Sequence, residues 1–340
     1  MNSAIKNMKI GILGAGHIAG TFAHTIRHTE GALCYAVASR SYEKAAEFAK
    51  QYGFEKAYGS YEEMLNDREV ELVYIATPHS HHYEHMKLCI RHKKHVLCEK
   101  PFTVNAEQAA EIKALAVSEG VFAAEAIWTR YMPSRTIINE ILESGAIGKP
   151  CTMTASLSYA ISHKERLIRP ELAGGALLDV GIYCLNFALM HFGKDIDRIE
   201  TSVQMTDTGV DGQETITVFY RDGRMASLCS GIYGRSDRRG MICGDKGYLV
   251  TDNINNPNSI DIYDTDDNLI KHISVPEQIN GYEYELSECI RLIEKGALES
   301  TSMPLDDTIE CLEIMDMIRS KWGLVYPVEM QSGQEGRDCT

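Results

Sequence analysis

The chain has no pair of cysteines at C-x-x-C spacing, no extended basic patch, no unbroken apolar stretch of membrane-spanning length, and few prolines, nine in 340 residues. Each shortage excludes something. Its ten cysteines are scattered singly through apolar segments, which rules against a disulfide framework or a zinc cluster and predicts reduced core residues. Basic residues number 34 against 48 acidic ones, a formal charge of −14, and that balance repels nucleic acid and anionic membranes. No apolar run approaches the roughly 18 to 20 residues of a membrane span. The start, Met1 to Lys9, lacks the apolar centre of a signal peptide, so the expected location is cytoplasmic. What remains, 44% hydrophobic and 24% charged residues, is an ordinary globular composition, too long for one core and suited to two domains. Disorder, a collagen-like fibre and a disulfide miniprotein are excluded.

From Met8 to about Ile127 short apolar runs alternate with amphipathic stretches. The pattern predicts strands over Lys9–Leu13, Leu33–Ser39, Val70–Ala76, His95–Cys98 and Phe122–Ala126. Helices are expected over Ile18–Arg27, Glu43–Tyr52, about His82–His92 and Ala106–Glu119, with Gly120 as a helix stop. After Gly148-Lys149-Pro150 strands follow one another: Cys151–Tyr159, Arg198–Met205, Glu214–Tyr220 and Met225–Gly231, the last two joined at Asp222-Gly223, a strong hairpin signal. Gly240–Ile242, Tyr248–Thr251, Ser259–Tyr263 and Ile270–Val275 complete the expected strands, and helices over about Tyr282–Lys295 and Leu305–Trp322 close the chain. The pattern is therefore that of an α/β parallel sheet wound with helices followed by one large, mostly antiparallel sheet, with the break near residue 127 and a polar tail at 331–340.

Gly14, Gly16 and Ala19 form a G-x-G-x-x-A pattern between the first strand and first helix. Gly14 permits the tight turn, Gly16 lets backbone approach a pyrophosphate, and Ala19 allows close helix packing. The helix N-terminus at His17 and Ile18 faces the negative charge. An acidic residue ending the second strand would bind the ribose 2′-hydroxyl of NAD; this chain has Ser39-Arg40-Ser41 instead. Arg40 suits adenine stacking and a 2′-phosphate, with the two serines as donors, so NADP is expected over NAD, with NAD still possible. The bland reading is a solvated arginine, with Ser41 only capping the next helix.

Thr77-Pro78 and Glu99-Lys100-Pro101 end strands at the carboxyl edge, where open α/β sheets bind ligands. A lysine fixed there by proline reads as a placed cation. Gly174-Gly175 precedes a helical segment, Leu177–Leu189, in which Asp179, Tyr183 and Asn186 stand at i, i+4 and i+7. A polar stripe on so apolar a helix requires partners or a ligand. A capping aspartate and a half-buried tyrosine are the structural alternative.

In that order and spacing, G-I-L-G-A-G-H-I-A, C-E-K-P-F and G-G-A-L-L-D-V-G-I-Y-C-L-N resemble the glucose-fructose oxidoreductase and inositol dehydrogenase family (Gfo/Idh/MocA) over nearly the whole chain. Within it, E-A-I-W-T-R-Y-M-P from Glu125 to Pro133 and the tyrosine at 183 look like the branch holding dimeric dihydrodiol dehydrogenase and NADP-dependent xylose dehydrogenases. Other branches usually carry histidine at the position of Tyr183. The resemblance implies an α/β Rossmann domain binding NAD(P) over 1–127, followed over 128–330 by an α+β substrate and oligomerisation domain with a large, mostly antiparallel open-faced sheet. It also implies a cis peptide before Pro101, a catalytic set of Lys100, Tyr183 and Asp179, and homo-oligomers, dimers or tetramers, built through that sheet. Around the cofactor it places Gly14, Gly16, His17, Ile18, Ser39, Arg40, Ser41, Thr77, Pro78, His82, Glu99 and Lys100. Around the substrate stand Trp128, with Arg166 or Arg169 reaching the substrate or cofactor from the following loop, and Asp179, Tyr183 and Asn186.

The expected chemistry is hydride transfer between nicotinamide and a hydroxyl or carbonyl carbon of a sugar, polyol or trans-dihydrodiol, with Tyr183 as general acid/base. A phenol with an ordinary pKa of about 10 needs a neighbouring cation to serve near neutrality, and Lys100 supplies it. A carboxylate at Asp179 works against that shift. Two other readings use the same fold: tightly held cofactor serving sugar chemistry without net redox change, and an NADP(H) redox sensor. Other patterns are distractors. Four histidines between His79 and His85 lack acidic or cysteine partners at a metal spacing, so no metal is expected. Asp264, Asp266 and Asn268 mimic a calcium loop but lack its glycine and closing glutamate, and read as a hairpin turn. Asp306-Asp307 favours a helix N-terminus.

Overall fold

The computed structural model describes residues 7–330; the expected polar tail 331–340, with Cys339, lies outside the described residues. The chain divides into two compact units. The first runs to Tyr131 and takes back Gln278–Glu310, while the second holds Met132–Glu277 and the chain from Cys311 onward. Sequence patterning gave everything from 128 to 330 to one domain, yet the segment 278–310 belongs with the first unit. Its helix explains why: Leu286, Cys289, Ile290 and Leu292 are buried in the same core as Phe22, Leu72 and Phe122. Periodicity reveals an apolar stripe but not the core it joins.

The strands of the first unit are β1 (Met8–Leu13), β2 (Ala32–Ala38), β3 (Lys56–Tyr58), β4 (Leu72–Ile75), β5 (His95–Glu99) and β6 (Ala123–Ala126). They form one parallel sheet in the order β3-β2-β1-β4-β5-β6. Between them run α1 (His17–His28), α2 (Tyr42–Tyr52), α3 (Tyr61–Leu65), α4 (His82–Arg91) and α5 (Ala106–Glu119). Such sheets are covered on both faces and need near-continuous apolar strands; Leu72, Val73, Tyr74 and Ile75 are all buried. The short β3 and α3 are absent from the sequence reading because three and five residues carry too little periodicity. Winding outward from β1 to β3 and returning to the other side of β1 with β4 creates a switch point. There the two following turns touch: a Cβ on Gly14 would lie 2.8 Å from Ala76 O.

The second unit contains α6 (Pro133–Glu143), β7 (Pro150–Ser158), α7 (Glu165–Ile168), α8 (Ile182–Phe192), β8 (Ile196–Met205), β9 (Asp211–Tyr220) and β10 (Met225–Gly231). It continues through β11 (Gly240–Gly244), β12 (Gly247–Thr251), β13 (Ser259–Asp264) and β14 (Leu269–Ser274). The last two helices of the chain are α9 (Glu283–Glu294) and α10 (Leu305–Trp322). Eight strands pair in the order β14-β13-β12-β11-β7-β10-β9-β8, antiparallel except for β7 with β10. Asp264 Oδ1 accepts from the backbone of Asp266 and Asn268, so the calcium-loop mimic is the turn between β13 and β14.

One face of this sheet is covered by α8, whose residues are almost all buried; the other presents Thr152, Thr154, Thr215 and Ser227 to solvent. That asymmetry corrects the expectation for the cysteines. Cys229 is exposed and Cys243 half-buried because strand alternation turns them onto the open face, while Cys151 is exposed at the very start of β7. A second correction concerns apolar length. The helical run Pro170–Phe192 has a mean hydropathy of 1.6 and is long enough to cross a membrane, but 94% of its apolar window is buried inside the protein.

Candidate active site

In the first unit β1 is followed at once by Gly14, whose φ of 99° is open to glycine and costly for other residues. Gly16 then stands at the N-cap of α1 with no side chain bonded across the cap. It is exposed, as is His17, and no atom lies within 4 Å of where its Cβ would be. Open space above unsatisfied helix N–H groups is the cradle a pyrophosphate requires. Ile18 is half-buried and Ala19 is fully buried against the sheet.

At the end of β2, Ser39 Oγ accepts from Ser41 N (3.4 Å), and Ser41 Oγ accepts from Lys44 N (3.3 Å) and donates to Glu43 (2.8 Å). Ser41 is thus the cap of α2. Arg40 between them is exposed, and its charge acts on Tyr61 and His85. Thr77 Oγ1 bonds His85 Nδ1 at 2.9 Å. Both ring nitrogens of the buried His82 face carbonyls at 2.8 Å, Pro101 O and Thr77 O, tying the turn after β4 to the turn after β5. Burial pushes its pKa down to about 4, so a neutral ring donates to one of the two at a time.

Lys100 is half-buried beside the cis peptide it makes with Pro101. Behind it lies a group of acids. Glu99, 8% exposed, accepts from the Lys100 backbone N–H at 3.2 Å and from the Tyr74 hydroxyl. Glu125 accepts from Phe102 N and Thr308 Oγ1, each at 3.0 Å; burial raises its pKa to about 7. Glu285 is wholly buried, neither carboxyl oxygen has a side-chain or backbone partner, and burial with Glu99 and Glu125 nearby holds it well above the carboxylate range. Trp128 is 7% exposed and stacks on Tyr282, ring centroids 4.4 Å apart and 13° from parallel. Tyr282 and Glu285 escape the sequence reading because α9 lies far along the chain. The one signal was an acid in phase with the apolar positions Leu286 and Cys289.

In the second unit the approach to α8 is built on glycine. A Cβ on Gly174 would press to 2.7 Å on the Leu167 carbonyl, so the Arg166–Leu167 backbone crosses here. Arg166 then reaches Asp179 with both guanidinium nitrogens, Nη1–Oδ1 at 2.9 Å and Nη2–Oδ2 at 3.4 Å. Arg169 pairs with Glu165 and Glu171 instead, half-exposed at the surface. Of the two arginines left open by the sequence, Arg166 is thus the one paired with Asp179.

Asp179 lies in a π-helical turn, Leu177–Gly181, that runs directly into α8. Periodicity reads this as ordinary helix, since a wider single turn leaves the apolar spacing nearly unchanged; such turns recur at functional sites. Asp179 and Tyr183 are 5% and 7% exposed. Asn186 is fully buried, donating to Ile182 O at 2.9 Å and touching Cys311 Sγ at 3.6 Å; this places its amide in the helix packing.

A family model described as an oxidoreductase family with an NAD-binding Rossmann fold matches residues 8–126, and a GFO/IDH/MocA C-terminal domain model matches 137–250. A trans-1,2-dihydrobenzene-1,2-diol dehydrogenase from Danio rerio is 33% identical over 336 residues, 95% of this chain and 99% of that one. The Homo sapiens protein of that name is 32% identical, covering 94% and 98%. Among solved structures, a 3-ketoreductase from Actinomadura kijaniata in complex with NADP and TDP-benzene superposes with a TM-score of 0.86 at 22% identity, covering 92% of this chain and 97% of that one. An aldose-aldose oxidoreductase from Caulobacter crescentus complexed with glycerol gives 0.84 at 21%, covering 94% and 99%.

Proposed function

The chain belongs to the GFO/IDH/MocA oxidoreductase family, and from that premise we propose that it is an NADP-dependent dehydrogenase acting on a trans-dihydrodiol, sugar or polyol. Relatives spanning nearly its whole length carry the dihydrodiol dehydrogenase name, and the substrate class follows from them. Gly14, Gly16 and the start of α1 would hold the pyrophosphate, with Arg40 and Ser39 at the 2′-phosphate. The nicotinamide, when bound, takes or gives the hydride.

The chain's own part is the proton. In oxidation the substrate hydroxyl must lose one as the carbon loses hydride, and Tyr183 accepts it; in reduction Tyr183 returns it. Lys100 contributes the positive charge that favours the phenolate and the developing oxyanion.

One observation carries this reading. Asp179, four residues before Tyr183 on the same helical run, is neutralised by the two-pronged contact with Arg166. A bare carboxylate there would hold the phenol protonated; an ion pair removes that obstacle. We further infer a homo-oligomer formed through the open face of the eight-stranded sheet, whose exposed threonines, serines and cysteines lie in a continuous paired surface.

The test is reduced-nicotinamide absorbance with NADP or NAD against trans-dihydrodiols, aldoses and polyols. Turnover with NADP on one of these groups is expected. NADP bound tightly with silence across the panel would overturn the reading in favour of retained cofactor or sensing.

A further inference from the structure

We propose that the buried pair Asp211 and Glu214 is the seat of the helix that carries Asp179 and Tyr183, with Asp211 a positioning residue for proton exchange at Tyr183. The proposal rests on the acid/base role given to Tyr183 above.

The pair exists because of an irregularity in β9. Along this strand Gln213 and Thr215 face solvent while Glu214 and Ile216 are buried. Strict alternation would put Asp211 on the solvent face with Gln213. The register against β8 shifts between Gln204 and Met205, which pair with Gln213 and Asp211. This bulge at Gly212 turns Asp211 inward to join Glu214, and both are buried, 0% and 3% exposed. Bulges are a recurrent way of re-aiming a side chain beside a site.

What Asp211 meets is the beginning of the Tyr183 helix. Its Oδ2 accepts from Leu177 N, the first residue of the π turn, and the carboxylate is bonded by the Ala176 backbone as well. Gly175 lies against Oδ1, where any side chain would collide with it. Glu214 supports the same turn from its other end: a Cβ on Gly181 would stand 2.8 Å from Glu214 Oε1 and 3.0 Å from Ser230 Oγ, and Ser230 donates to that oxygen. The two glycines bounding the turn are thus fitted to the two acids.

Each acid keeps one oxygen without a hydrogen-bond partner, Asp211 Oδ1 and Glu214 Oε2. A helix cap alone needs neither a second acid nor an orphaned oxygen; serine or asparagine serves with less desolvation. The charged and titratable groups facing Asp211 are Glu214 on β9, Arg319 on α10, and Tyr326 beyond it. Arg319 is engaged by Glu329 and Asp316, and the Tyr326 hydroxyl donates to Gly174 O at 2.7 Å.

Burial raises Asp211 to about 6, its backbone bonds and Arg319 opposing, while burial and the Asp211 charge hold Glu214 well above its ordinary range. At neutral pH the pair therefore carries one negative charge, set against the positive end of the Tyr183 helix. Protonation below about pH 6 releases that charge and loosens the seat.

The experiment compares Asp211→Asn with wild type in kcat, KM and NADP affinity across pH, beside Tyr183→Phe, and follows carboxyl-13C-labelled aspartate and glutamate by NMR. Asparagine still accepts from Leu177 N, so the fold is kept. Wild-type kcat should fall on the acid side with a midpoint near pH 6. Asp211→Asn should lose that limb, with kcat about tenfold lower above neutrality, the order of cost of a small misplacement, and NADP affinity unchanged. The carboxyl signal titrating near that pH should vanish with it.

Equal loss of kcat at every pH would make Asp211 a plain cap and overturn the proposal, as would a wild-type profile in the variant. If Tyr183→Phe keeps full turnover, the underlying reading fails first, whatever Asp211 does. Should Asp211→Asn not fold, Glu214→Gln must keep the titration near pH 6 and lose the higher carboxyl step; no carboxyl titrating near that pH overturns the proposal.

Discussion

Arg166 and Asp179 form the contact on which the proposed proton chemistry rests, so the sharpest expectation at the level of single residues concerns Arg166→Gln. Without the guanidinium, the buried Asp179 loses the positive charge of its two-pronged contact, four residues before the proposed proton carrier. The oxidation profile should then move to higher pH, and kcat at neutrality should fall by roughly tenfold, one unit of differential charge stabilisation. A pH–rate series measures both, and an unchanged profile would separate Asp179 from the proton step. Arg40→Ala should weaken NADP by about tenfold, the worth of one charge-assisted hydrogen bond, and leave NAD affinity where it was; titration with each cofactor decides. These residues were legible in the sequence because their chemistry is tied to local pattern: glycines at a strand end, a lysine before proline, a polar stripe on an apolar helix. That Arg166 rather than Arg169 pairs with Asp179 was not legible, since it depends on where the Gly174 crossing sends the backbone.

Among the elements, β6 and α9 illustrate what pattern cannot reach. Glu125 sits in the strand Ala123–Ala126 and Glu285 in the apolar phase of α9, and nothing local says that both acids end in one core with Glu99. Their burial has a measurable consequence. Glu125 keeps its proton to about pH 7 in the folded protein, against an ordinary value of 4.5. Between those values the folded state binds more protons than the unfolded chain, so stability falls as pH rises through the window and the deficit persists above it. Glu125→Gln should remove a penalty on the order of 3 kcal/mol above neutrality and flatten the decline. Thermal unfolding of wild type and variant across pH tests this; parallel curves would contradict it. The bulge at Gly212 escaped for a related reason. The strand expected from the sequence begins at Glu214, and only pairing with β8 draws Asp211 and Gly212 into it.

For the whole molecule, alternating patterns identified a parallel sheet followed by a larger, mostly antiparallel one. The return of α9 to the first unit and the parallel pairing of β7 with β10 are long-range choices that short-window periodicity does not encode. The open face of the second sheet carries its own expectation. Thr154 and Ser227 are cross-strand neighbours on that face, so Thr154→Arg with Ser227→Arg would bring like charges together at the proposed interface. Sedimentation should show the assembly separating into single chains while NADP binding persists; unchanged mass would place the interface elsewhere. The central claim is that this chain transfers hydride with Tyr183 handling the proton. The most direct measurement is turnover of Tyr183→Phe against wild type with NADP and a trans-dihydrodiol, alongside NADP affinity. The account predicts a loss of about a hundredfold or more in kcat with affinity within about twofold; full turnover in the variant would contradict it.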